Sequence, residues 1–180
     1  QAYKNVSRQD SAEYYSIAQN NLGNLLSDLK RFDEAEKAYK NVTQEDSSKH
    51  YAWAQFNLGI LLQQQQCFEE AEQAFKNVIR EDAVEIYAQA QFNLGNLLRE
   101  IGREQEAERI YRNIQKEDSL EAFERAQKAL SDLQYQLSIQ VEDNNESGEL
   151  LNDIHKLVDE IKKLLLIDFD NGTERCVAHY

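Results

Sequence analysis

A repeat with a period of 36 residues constrains the fold of this chain more than any other feature of its sequence. Three blocks align without gaps and begin at Tyr15, Tyr51 and Tyr87, and a fourth begins at Phe123. The first three each carry Asn-Leu-Gly, then Glu-Ala-Glu, then an aromatic residue. Such a period predicts a stack of supersecondary units, because one unit of this size cannot bury its apolar face alone.

Each block predicts two helices. In the middle block, apolar residues at helical spacing predict a first helix over about 46–64 and a second over about 69–81. A short polar turn joins the helices of a block, and in the third block this turn contains Gly102. Aspartates stand where the N-caps of the first helices are expected, at Asp10, Asp46, Asp82 and Asp118. The sequence therefore predicts an all-α chain.

The composition of the chain limits the classes of partner that it can be expected to bind. The chain has 20 Lys and Arg residues against 33 Asp and Glu residues, a formal net charge of −13. A surface this acidic repels phosphate backbones, so we expect no nucleic acid partner. No apolar run approaches the length of a membrane span, and we expect no membrane partner. The two cysteines form no disulfide framework, which favours a reducing, cytoplasmic setting. The chain does not begin with Met, so we expect it to be a segment of a longer protein.

The spacing within the blocks resembles that of the tetratricopeptide repeat family. That family has a Leu-Gly pair in its first helix, a small residue thirteen positions after the Leu, and an aromatic residue four positions later. The matching residues are Leu22, Gly23, Ala35 and Tyr39, then Leu58, Gly59, Ala71 and Phe75, then Leu94, Gly95, Ala107 and Tyr111. The resemblance implies a right-handed superhelix of antiparallel helix pairs. The usual period is 34, and the proline that usually ends the repeat is absent here.

The resemblance covers residues 1–138. We predict the following array: a partial repeat at 1–14, repeats at 15–50, 51–86 and 87–122, and a terminal capping helix at 123–138. A glycine inside a helix costs about 1 kcal/mol relative to alanine. The glycines of the three Leu-Gly pairs therefore indicate a close approach of the partner helix. We expect the facing small residues to be Ala35, Ala71 and Ala107.

The resemblance also implies where a ligand would bind, because the first helices of such arrays line the concave face. The candidate groove residues are Asn21, Asn24, Trp53, Phe56, Asn57, Ile60, Phe92, Asn93 and Asn96. An amide side chain has both a donor and an acceptor and can pair with a peptide unit of an extended chain. The column of Asn21, Asn57 and Asn93 resembles the asparagine ladder in the tetratricopeptide superhelix of the O-linked N-acetylglucosamine transferases.

Both groups of groove residues have a structural alternative. The amides of the column could be hydrated, or could tie adjacent helices together. The aromatic residues could cover the neighbouring repeat or the C-terminal segment. Chaperone-binding tetratricopeptide domains clamp a chain-terminal carboxylate with basic residues, but this chain has Asn20 and Asn93 at two of those positions. A receptor for chaperone tails is therefore not expected.

The segment 139–180 departs from the repeat. We predict a polar loop at 141–148, an amphipathic helix at 149–167 that covers the last repeat, and a strand-like tail that leads to a missing domain. A dimer contact, or a docking site for that domain, is the alternative role for this helix.

No constellation of residues indicates catalysis. His50, His155 and His179 are scattered, Cys176 has no zinc-type spacing to a partner, and no phosphate-binding glycine loop occurs. We predict no enzyme activity, no metal and no cofactor. The sequence favours a scaffold that binds a protein or peptide segment in its concave groove. The alternative is a regulatory or homo-oligomerisation module of a larger protein.

Overall fold

The structure, a computed structural model that describes residues 7–9 and 11–176, is helical throughout its regular parts. The helices are α1 (Ala12–Asp28), α2 (Phe32–Lys40), α3 (Ser48–Gln64), α4 (Phe68–Lys76), α5 (Val84–Glu100), α6 (Glu104–Asn113) and α7 (Leu120–Cys176). The helices α1, α3, α5 and α7 begin 36 residues apart, as the repeat predicts. The prediction of an all-α helical solenoid is confirmed. Within the described part of the chain, no helix combines the length and the apolar character that membrane crossing requires.

Two compact units divide between Leu133 and Gln134. The first contains the helix pairs α1–α2, α3–α4 and α5–α6 and the beginning of α7, whose Ala122, Ala126 and Leu130 belong to the same apolar core. The second is the remainder of α7. The predicted division between 138 and 139 stays a prediction.

The helices of the first unit form two layers. The helices α1, α3 and α5 contact one another in series, whereas α2, α4 and α6 contact only the first helices and not each other. Because α1, α3 and α5 touch one another, they lie closer together than α2, α4 and α6 do. They therefore form the inner layer of the stack. We call its solvent-facing side the inner face.

A glycine–aromatic contact closes each helix pair. Gly59 of α3 lies against the ring of Phe75 of α4, and a Cβ atom on Gly59 would stand 2.6 Å from Phe75 Cε1. The same contact recurs between Gly23 and Tyr39 and between Gly95 and Tyr111. The expected close approach is therefore present. The atoms nearest to each glycine belong to the ring, and the prediction that Ala35, Ala71 and Ala107 face the glycines stays a prediction.

The caps of the first helices differ from the prediction by one residue. Ser11 Oγ and Ser47 Oγ accept hydrogen bonds from the backbone N–H groups of Tyr14 and His50. Ala83 holds the equivalent position before α5 and makes no side-chain cap. The assignment of Asp46, Asp82 and Asp118 as N-caps is wrong, and Asp10 lies outside the described residues.

These aspartates join successive repeats instead. Each accepts a hydrogen bond or ion pair from a residue in the loop of the preceding repeat. The pairs are Arg8 with Asp46 (2.9 Å), Gln44 with Asp82 (3.3 Å) and Arg80 with Asp118 (2.8 Å). The second helices end earlier than predicted, at Lys76 in the middle repeat, and leave a loop long enough for these contacts.

The C-terminal prediction is wrong in two places. Residues 141–148 are helical and belong to α7, and the same helix continues through 168–176, which the sequence predicted as the beginning of a strand-like tail. The segment has no proline to interrupt the helix, and its Glu residues are good helix formers. Residues 177–180 lie outside the described part. The predicted covering role of 149–167 stays a prediction.

Replacing Gly59 with Ala tests the contact at the centre of the array. We expect the free energy of unfolding to fall by about 1–3 kcal/mol, because the added methyl group forces the ring of Phe75 from its place. Urea titration followed by circular dichroism measures the change. Gly148→Ala is the control: it brings the same gain in helix propensity, about 1 kcal/mol, but its Cβ meets nothing within 4 Å. An unchanged unfolding midpoint for Gly59→Ala would contradict the proposed packing.

Alkaline pH tests the burial of Tyr39. Its side chain is 3% exposed, and burial, with the charge of Asp28, raises its pKa to about 12. Because the pKa is raised from 10.0 in the folded state, the stabilisation is complete below pH 10 and is lost as the pH rises towards 12. We expect a loss of up to about 3 kcal/mol from this group.

The loss is measured by urea unfolding at successive pH values. Tyr39→Phe should lose less stability over this range than the unmutated chain, although burial also raises the pKa of Tyr51 and Tyr111. Tyr14→Phe, at a side chain that is 69% exposed, is the matched control. Identical pH profiles for Tyr39→Phe and the unmutated chain would refute the assignment.

Candidate functional site

A hollow of ≈ 440 Å³ opens on the inner face between α1 and α3. We call it the first hollow. It is lined by Ile17, Asn20, Asn21, Asn24, Lys49, His50, Trp53 and Asn57. Helical geometry explains why these residues meet. Lys49, Trp53 and Asn57 are four residues apart and form one stripe along α3. The first hollow therefore brings together four of the nine predicted groove residues, namely Asn21, Asn24, Trp53 and Asn57.

The amide of Asn57 bridges the two walls of this hollow. Asn57 Nδ2 donates to Asn20 Oδ1 at 3.2 Å and to Asn24 Oδ1 at 3.1 Å. For this residue, the alternative that the amides tie adjacent helices is correct. Both bonds use the amide nitrogen, so Oδ1 of Asn57 is the atom that can accept from a ligand.

Asn24 and Asn96 have a structural role. The hydroxyl groups of Tyr39 and Tyr111 donate to Asn24 Oδ1 and Asn96 Oδ1, each at 2.7 Å. In the middle repeat, Ile60 and Phe75 stand at the equivalent positions, so an apolar pair replaces a polar one. This joint change from Asn–Tyr to Ile–Phe is visible in the sequence and could have revealed the pairing.

A second hollow lies between α3 and α5, also of ≈ 440 Å³. It is lined by Ile60, Gln63, Gln64, Gln66, Asn93 and Glu100. Two predicted groove residues, Ile60 and Asn93, therefore lie here rather than beside Trp53. Gln63 Nε2 donates to Glu100 Oε2 at 2.8 Å across this hollow. The two hollows share α3 as a wall and lie towards its opposite ends.

The predicted aromatic residues differ in exposure. Trp53 is 38% exposed and lines the first hollow. Phe92 is only 7% exposed, with its ring centroid 5.8 Å from that of Tyr111 and the guanidinium of Arg125 4.3 Å from its own. It packs within its own repeat and against Arg125 of α7, and its place in the groove stays a prediction. Phe56 is partly buried and packs against Phe75, with ring centroids 6.4 Å apart.

Two residues of the first hollow, Lys49 and His50, are ionisable groups that the predicted site lacks. His50 Nδ1 lies 2.9 Å from Ser47 Oγ, and Asn20 Nδ2 lies 3.5 Å from the His50 carbonyl oxygen. Burial lowers the pKa of His50, and the charge of Glu13 opposes this shift. The sequence did contain a signal for Lys49, since it replaces the glutamate found at the same position of the other first helices.

Metal binding finds no support among the described residues, in which no group of three or more His, Cys, Asp or Glu side chains is arranged to hold an ion. The chemistry that the inner face offers is hydrogen bonding by amides, apolar contact by Trp53 and Ile17, and charge from Lys49 and Glu100.

Comparison with known families agrees with the architecture. A tetratricopeptide repeat model matches residues 14–80. A model of the N-terminal domain of EccA1, a protein of the ESX-1 type VII secretion system, matches residues 67–150. A search of curated proteins gave no match. The first match contains the α1–α2 and α3–α4 pairs, with their Leu-Gly, alanine and aromatic positions. Residues 14–80 are therefore similar to the tetratricopeptide repeat family, in agreement with the resemblance of the sequence.

Proposed function

We propose that the inner face of this array binds an extended segment of another protein, with the first hollow as the main contact. Tetratricopeptide repeats generally mediate protein–protein interaction. The observation that carries the proposal is Trp53, a large aromatic side chain that is 38% exposed in a concave site beside hydrogen-bonding amides. Partly exposed tryptophans of this kind often dominate the energy of an interface.

The polar groups of the face suit a peptide backbone. Asn57 Oδ1 can accept from a peptide N–H, while the exposed amide of Asn21 can both donate and accept. Asn93 offers the same chemistry in the second hollow. Contacts of this kind hold a peptide backbone without selecting its side chains. Trp53 and the charged residues would therefore determine which side chains are preferred.

The separation of the hollows sets the length of the segment. Along α3, Trp53 and Ile60 are seven residues apart, which corresponds to about 10 Å. Neighbouring helices add a sideways step of about 10 Å. An extended chain advances about 3.3 Å per residue, so about four or five residues connect the two hollows.

A regulatory or oligomerisation module is the second candidate. One observation favours it: α7 exposes Leu150, Ile154, Leu157 and Val158, at 64%, 48%, 58% and 41%. These residues share one stripe of the helix, and a stripe of this kind often marks a contact surface. The match to the N-terminal domain of a larger secretion protein is in keeping with a modular role.

A screen on an array of short randomised peptides tests the first candidate. For a peptide that the array selects, we expect Trp53→Ala to weaken binding by roughly thirtyfold, which corresponds to about 2 kcal/mol for an interface hot spot. We expect Asn57→Ala to weaken it as well. Fluorescence anisotropy of the labelled peptide measures the affinities, and circular dichroism checks that both variants fold.

Ile79→Ala is the matched control, because Ile79 is an apolar residue that is 41% exposed but lines neither hollow. It should bind as the unmutated chain does. Equal affinities for all three variants would remove the first hollow from the proposed function. Light scattering in the same experiment tests the second candidate: a stable dimer that binds no peptide would favour it.

A further inference from the structure

We propose that the segment bound in the first hollow is acidic as well as apolar, with a side-chain carboxylate at Lys49 and an apolar side chain against Trp53 and Ile17. This inference rests on the proposed function and specifies the class of partner. The expected partner segment has Asp or Glu residues two positions away from large apolar ones, within a longer chain.

The charge of the first hollow is opposite in sign to the net charge of the chain. The chain carries a formal net charge of −13, yet the charged side chain in the lining of the first hollow at neutral pH is a lysine. Burial lowers the pKa of His50, which leaves its ring neutral there. By contrast, the second hollow carries Glu100. An acidic segment would therefore be attracted to the first hollow and repelled from most of the remaining surface.

Lys49 occupies a position in α3 at which a positive charge does not stabilise the helix. The first turn of a helix favours acidic residues, because the helix dipole is positive there. Glu13, Glu85 and Glu121 follow this rule at the equivalent positions of α1, α5 and α7. In α3 the first turn contains no acidic residue. The repeat that departs from the rule is the one that carries Trp53, so the charge change and the exposed aromatic side chain occur together.

Lys49 and Trp53 lie on one stripe of α3, a single helical turn apart. That distance is about 6 Å along α3, which matches the spacing of side chains two residues apart, and so on the same face, in an extended chain. A carboxylate and an apolar side chain that are close in sequence can therefore reach both residues at once. Ile17 of α1 completes the apolar wall opposite.

Titrations with defined peptides test this inference, and Trp53, the single tryptophan of the sequence, is the reporter. The probes are a blocked peptide of repeating Asp-Ser-Leu-Ser units, in which Asp and Leu share one face of the extended chain, and its analogues with Asn or Lys in place of Asp. Blocked ends leave side chains as the source of negative charge. We expect a blue shift of the Trp53 emission with all peptides that enter the hollow, and an affinity about tenfold higher for the Asp peptide than for its Asn analogue. Added salt should reduce that difference.

Two variants assign the effect to Lys49. Lys49→Glu should abolish the preference for the Asp peptide and leave the Asn peptide unaffected. Lys116→Glu makes the same change of net charge at an exposed residue outside the hollow and should preserve the preference. The charge of Glu13 acts on His50 at the rim, so Glu13→Gln should strengthen binding of the Asp peptide. Glu13→Gln keeps the test decisive if Lys49→Glu does not fold.

The outcomes separate the inference from the proposed function. Equal affinities for the Asp, Asn and Lys peptides would overturn the acidic preference but leave peptide binding in the hollow intact. The same holds if Lys49→Glu and Lys116→Glu reduce binding of the Asp peptide equally, since the effect would then come from net charge. If no peptide shifts the emission of Trp53, both the inference and the proposed function are wrong.

Discussion

The contact between a helix glycine and an aromatic ring is the interaction on which the rest of this array depends. At Gly59 and its equivalents, the ring of the second helix occupies the space that a side chain of the first helix would need. The helix pair is therefore held close and at a fixed register. Stacked pairs bring α1, α3 and α5 together as the inner layer, and the two hollows lie between these helices. The shape of the candidate site thus follows from a packing rule that is repeated three times.

The polar contacts between neighbouring first helices differ from one repeat to the next. Between α1 and α3, Asn57 bonds to Asn20 and Asn24, and Asn24 in turn accepts from Tyr39. This chain of hydrogen bonds runs from the inner face to the core of the first repeat. A ligand that engages Asn57 would therefore contact a side chain that is already held in place, which reduces the entropy lost on binding. The structural and ligand-binding interpretations of Asn57 are compatible, because they use different atoms of one amide.

The period of the sequence determined most of what could be predicted. A repeated Leu-Gly pair, alanine and aromatic residue place the helices and the core correctly, because the same packing contact recurs in every block. The N-caps were displaced by one residue, since Asp46 and Ser47 are both good caps and only the structure shows that Asp46 bonds to Arg8. Residues 141–148 resemble a loop in composition, but a helix needs only the absence of strong breakers to continue through them.

The site was harder to predict than the fold. Phe92 repeats the position of Phe56, and sequence spacing cannot show that Arg125 and the ring of Tyr111 enclose it. Lys49 was recognisable in the sequence as a departure from the repeat. Its proposed role in binding also depends on Ile17, which lines the same hollow but belongs to another block.

The central claim is that a peptide binds between α1 and α3 on the inner face. Side-chain amide and indole N–H resonances measured by nuclear magnetic resonance test it directly, in a titration with the blocked Asp-Ser-Leu-Ser peptide. The account predicts that the resonances of Trp53, Asn57 and Asn21 shift together, while those of Asn41 and Asn77, beyond the ends of α2 and α4, do not. Shifts confined to Asn152 on α7, or to those two outer amides, would contradict it.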